Sequence, residues 1–281
     1  MTEPQTTRRE AADPFGEWAS SKDVLMSYRY LASAPRSIDR THAENLLHIR
    51  RDLRTTGGAM LAAPLAIAML DAAGVNVDPV NILALTQVNI TVIDHGQRID
   101  DAFLAARVAT EARSQIFTEV AIYDDRDRST LIGLGSANWS VLCPTPEGFV
   151  YPEPGDGIDE AGDVPPLWQA YTGCRRDDGL LEVPGLRPEI GAERLHHGPM
   201  LVVTEAAAID AASHALGTED VGVDQLTMTI VAPGRVGPFV AVPVSVGMSE
   251  GAAACRVELR DQGRDERVVA TTVVRIGRLT R

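Results

Sequence analysis

Residues 57–73 read GGAMLAAPLAIAMLDAA, apolar on nearly every face of the helix they would form. A helix with that pattern is enclosed by protein, not half-solvated. Four β-rich runs follow, at 83–93, 103–112, 115–123 and 130–142. Turn chemistry separates them in Asp94-His95-Gly96, over 111–114 and in Asp124-Asp125-Arg126-Asp127. The same order then recurs. Residues 198–216, GPMLVVTEAAAIDAASHAL, read as a second enclosed helix stopped by Gly217, and further strands follow at 224–231, 239–246, 253–260 and 267–276. Overlaid, Ile90-Thr91-Val92 meets Thr229-Ile230-Val231, Phe103-Leu104-Ala105 meets Phe239-Val240-Ala241, and Tyr123-Asp124-Asp125 meets Leu259-Arg260-Asp261. One helix and four strands, repeated with matching turns, define an α+β chain with an internal duplication.

Around the copies the pattern changes. Residues 144–188 hold 8 of the chain's 17 prolines, and the acids Glu153, Asp156, Asp159, Glu160 and Asp163 follow one another with no base between them. This stretch is expected to cross the surface as a linker pinned by Trp168 and Tyr171. The expected organisation is an N-terminal extension over 1–44 with a helix within 13–34, a first repeat over 45–143, a linker over 144–185 and a second repeat over 186–281.

Composition narrows the function classes. The chain has 281 residues, 44% hydrophobic and 23% charged, enough apolar side chain for a folded core. With 26 Lys and Arg against 39 Asp and Glu, the net charge of −13 argues against a nucleic-acid or anionic-membrane surface. The longest apolar run, 59–70, is 12 residues and too short to cross a bilayer. The first twelve residues, MTEPQTTRREAA, have no apolar stretch and do not read as a secretory signal. Cys143, Cys174 and Cys255 are scattered and odd in number, which favours a reducing cytoplasm over a disulfide framework. No His, Cys or acid cluster has metal-ligand spacing, so neither metal nor cofactor is expected.

A buried helix wrapped by an antiparallel sheet, twice over, resembles the double hotdog architecture of the acyl-CoA thioesterase superfamily. Thr55-Thr56-Gly57-Gly58 before the first helix and His196-His197-Gly198-Pro199 before the second carry the resemblance, standing where that family has a His-Gly-Gly turn. The strand patterns 132–137 and 269–272 look like its final strand. The resemblance implies hydrolysis of an acyl or aryl thioester without a metal, an acyl-CoA or other acyl thioester as partner, and a possible homo-oligomer.

Thioester hydrolysis needs donors for the developing oxyanion and a carboxylate acting as nucleophile or as general base for water. Gly57, Gly58 and Gly198 let backbone N–H groups approach a ligand at a helix start. Glu205 lies nine residues after His196, the family's usual interval to its acid, and an acid inside an apolar helix is costly to bury unless paired or functional. A capping role for Glu205 stays open, as does Asp210, five residues on, as the catalytic acid. His196 and His197 could hold substrate, orient a carboxylate or cap the turn. The first helix has no acid before Asp71, expected to be solvated near the helix end. The first copy is therefore expected to donate backbone donors or pocket walls while the second keeps the acid, or the reverse. Two rivals remain: a hotdog acyl-CoA hydratase or dehydratase, whose Gly-Asp-x-Asn-Pro string is absent, and a non-catalytic binder of acyl thioesters or of a protein.

Overall fold

The computed structural model describes residues 25–77, 80–145, 147 and 164–279. In chain order its elements are helix α1 (Met26–Arg29) and strands β1 (Arg36–Ser37) and β2 (His42–His48), followed by helix α2 (Ala62–Gly74). Strands β3 (Asn81–Val92), β4 (Asp101–Glu111), β5 (Gln115–Asp124) and β6 (Asp127–Pro144) come next. Helix α3 (Leu167–Ala170), strands β7 (Cys174–Arg175) and β8 (Leu181–Val183) and helix α4 (His197–Leu216) precede β9 (Val221–Ile230), β10 (Phe239–Ser249), β11 (Ala252–Asp261) and β12 (Arg267–Arg278).

The strands form one antiparallel sheet in the order β1-β2-β4-β5-β6-β3-β9-β12-β11-β10-β8-β7. Read from either end, the order of strand types is the same. The halves join where β3 pairs with β9, Asn89 facing Thr227 and donating from its amide to the threonine hydroxyl at 3.1 Å. The inner face packs on α2 and α4, which also touch each other. Every residue of α2 is buried, as its uniform apolarity requires. Proline stands third in each long helix, at Pro64 and Pro199, where a missing N–H breaks no helical bond.

Single hydrogen bonds recur in both halves. Leu61 N–H donates to the Leu53 carbonyl at 2.9 Å, and His196 N–H to the Ile190 carbonyl at 2.8 Å. Ile93 and Asp94 both donate to the Ile132 carbonyl, as Val231 and Ala232 do to that of Val269. These bonds match Leu61 with His196, so Ala62-Ala63-Pro64 corresponds to His197-Gly198-Pro199.

Several expectations are corrected. The first helix begins at Ala62 instead of 57, because Thr55 to Ala59 close a turn of their own: Gly58 donates to the Thr55 carbonyl, with Gly58 at φ +88°. The three strand overlays slip by one residue. Ile90 is buried and Thr229 exposed; Phe103 is half-buried under the Arg128 guanidinium and Phe239 fully buried; Tyr123 is half-buried and Leu259 fully buried. A one-residue slip turns each side chain to the opposite face. The supposed linker ends as part of the sheet, with β8 paired to β10 and Tyr171 in the core. Its acidic part over 153–163, like residues 13–24 of the supposed leading helix, lies outside the described residues. Asp71 is buried, not solvated.

Candidate active site

Proline limits what the start of α2 offers. Its first residues, Ala62 and Ala63, have backbone N–H groups without helical acceptors, and Pro64 has none to give. Both N–H groups donate to Glu205 of α4, Ala62 to Oε1 at 2.6 Å and Ala63 to Oε2 at 3.0 Å. An acid from one half thus caps the helix of the other. Glu205 is 1% exposed. Burial pushes its carboxyl up to about 7, against the opposing pull of the two amide bonds. No cation contributes to this balance.

Glu205 lies near the inner end of a groove of about 770 Å³ that runs along one face of α4 from Val202 past Ala206, Ile209, Asp210 and Ser213 to Gly217. The loop carrying Asp52, Arg54, Thr55 and Thr56 forms one wall, and Pro166, Leu167, Trp168 and Arg175 form another. Arg54 donates to the carbonyls of Ile49, Gly58, Gly96 and Ile99, which fixes that loop. Behind it, Arg50 pairs with Asp52 at 3.0 Å and Tyr30 donates to the same carboxylate at 2.8 Å.

The structure gathers only some of the sequence candidates. Asp210 is exposed at the groove's outer part and accepts from Arg175 at 2.6 Å, five residues along α4 from Glu205. Gly57 and Gly58 lie in the turn ahead of α2, next to the groove-lining Thr55 and Thr56, and are not its N-terminus. A side chain at Gly57 would meet Leu279 and Asp220. His196, His197 and Gly198 stand at the other helix start, with the two imidazoles 3.8 Å apart and tilted by 40°, and His196 Nδ1 accepting from Gly198 N–H at 3.5 Å. Seven residues of helix, roughly 10 Å, separate Gly198 from Glu205. By register the α2 position that corresponds to Glu205 is Leu70, and the α2 atom near a side chain at Gly198 would be Ile67 Cδ1 at 3.7 Å.

Asp52, Arg54, Thr55, Thr56, Trp168 and Arg175 were missed as groove residues. The usable signal was the shared proline of the two helix starts, which sets Ala62-Ala63 in place of Gly57-Gly58 as the donor pair. Among the described residues, no group of three or more His, Cys, Asp or Glu could hold a metal ion. No described helix is long and apolar enough to cross a membrane.

No family model matches the chain, and no curated protein matches it by sequence. Solved structures do match. A conserved protein of unknown function with a hot dog fold from Alicyclobacillus acidocaldarius shares 12% identity at a TM-score of 0.57, covering 93% of this chain and 98% of its own. The tesB protein of Mycobacterium avium subsp. paratuberculosis shares 11% at 0.58, covering 88% and 96%. An acyl-CoA thioesterase II of Mycobacterium marinum shares 12% at 0.55, again covering 88% and 96%. The chain has the hotdog fold. At these identities the likeness is one of fold, held in common with solved thioesterases.

Proposed function

We propose that this protein is a tandem pair of hotdog units, spanning about 25–144 and 164–279, that hydrolyses an acyl thioester at the junction of the two. The observation that carries the reading is Glu205, a buried acid near the inner end of a groove, set on the N-terminal amides of the other unit's helix. A carboxyl near 7 exchanges its proton close to neutral pH, which suits a base for water or a nucleophile toward the carbonyl. The thioester oxygen, as it gains charge, takes an amide N–H of Ala62 or Ala63. For this the carboxylate gives up one of its two bonds, because Pro64 leaves no third donor. Glu205 takes a proton from the water whose oxygen adds to the carbonyl carbon; the C–S bond then breaks and the thiol leaves with that proton, giving the free acid and restoring the carboxylate. Acyl-CoA is the first partner to test.

The same double occupation favours a second reading, a hotdog chain that binds acyl thioesters with Glu205 serving only as a cap. Incubation with a panel of acyl-CoAs, following free thiol and enoyl absorbance, separates the two. Thiol release lost in Glu205→Gln supports the hydrolase; tight binding without release supports the binder, and a change in enoyl absorbance a hydratase.

A further inference from the structure

The groove has a direction. Asp210, His214, Gly217 and Glu219 at its outer end are exposed, whereas Glu205 is enclosed. Inward of Glu205 the wall runs only to Val202, one turn or about 4.5 Å along α4. There the space is filled. A methyl group at Gly198, one further turn inward, would stand 3.3 Å from the Tyr171 ring and 3.7 Å from Ile67 Cδ1. Tyr171 is buried so completely that its hydroxyl finds no hydrogen-bond partner among the described residues, a position that costs stability. Outward of Glu205, Ala206 and Ile209 of α4 give way to Asp210, Ser213, Thr218 and Glu219 toward the exit.

We propose that the acyl group lies inward of Glu205 against Val202 and the Tyr171–Ile67 floor, and that the substrates are short-chain acyl thioesters. This rests on the hydrolase reading above. Carbon–carbon bonds of about 1.5 Å advance an extended chain roughly 1.3 Å per atom, so the inner section holds three or four carbons beyond the carbonyl. The carrier arm leaves by the polar half. A longer chain would have to compress a packed core or run along hydroxyls and carboxylates, and both are unfavourable.

The test is kcat/KM for straight-chain acyl-CoAs from acetyl to palmitoyl, read by thiol release. The expected profile is highest at or below hexanoyl and falls at least about tenfold by dodecanoyl. Val202→Ala, which deepens the inner section with little risk to folding, should move the optimum one to two carbons longer; Tyr171→Ala should move it further if it folds. A wild-type optimum at dodecanoyl or longer overturns the proposal, as does an unmoved profile in Val202→Ala, and either leaves the hydrolase reading intact. Cleavage of no thioester at any length removes both.

Discussion

Glu205 is where stability and chemistry pull apart. Its folded-state carboxyl titrates near 7 against an ordinary 4.5, so between those values the folded chain holds a proton that the unfolded chain releases. The contribution to stability is fully present below pH 4.5 and is lost as pH rises through 7. Glu205→Gln should flatten this slope in urea unfolding followed across that range. On the hydrolase reading the same titration supplies the base, so wild-type kcat should rise with pH through about 7. Glu205→Gln should lower kcat by at least roughly a hundredfold. Full activity in that variant would leave Glu205 a cap alone. Tyr171 shows the opposite balance: its hydroxyl bonds to nothing described, so Tyr171→Phe should leave the urea midpoint unchanged or raise stability by about 1 kcal/mol.

At the scale of elements, α2 rests on the sheet because β6 leaves room for it. A side chain at Gly135 would strike Met69 of α2, itself fully buried. Gly135→Ala should therefore cost about 1–3 kcal/mol in chemical unfolding. Gly247→Ala on β10, where nothing lies within 4 Å, should stay within roughly 0.5 kcal/mol. The strands were legible because alternation and turn residues are local signals, and the eight long strands lie within three residues of the ranges read from sequence. Register was not, since identity between Phe103 and Phe239 outweighed the question of which face each occupies. The short strands β1, β7 and β8 carry too few residues for a period to show, and in β2 the buried Asn45 and exposed Leu46 break the apolar alternation. Glu205 was legible as an odd acid in an apolar helix. Its amide partners were not, because Ala62 and Ala63 offer backbone N–H groups that no side chain advertises, while Gly57 and Gly58 drew the eye to a turn.

On the scale of the whole molecule, a mirrored strand order makes two equivalent sites the default expectation, and on the hydrolase reading the difference between the two helix starts leaves one. At the start of α2, the opposing helix supplies Glu205 and the groove reaches solvent. At the start of α4, the residue that corresponds to Glu205 by register is the apolar Leu70, and the Tyr171 ring and Ile67 stand where a side chain at Gly198 would point. A helix N-terminus favours negative charge whether or not an acid is aimed at it. At α4 the helix start keeps its backbone donors, with His196 accepting from Gly198 N–H, while Leu70 stands at the position that corresponds to Glu205. Calorimetric titration with a non-hydrolysable acyl-CoA analogue should then saturate at one ligand per chain, whatever the oligomeric state. Glu205→Gln should keep that stoichiometry while abolishing turnover, since the groove walls remain. Two equal, independent sites per chain would contradict this account, because no shared acid and no shared opening could serve both.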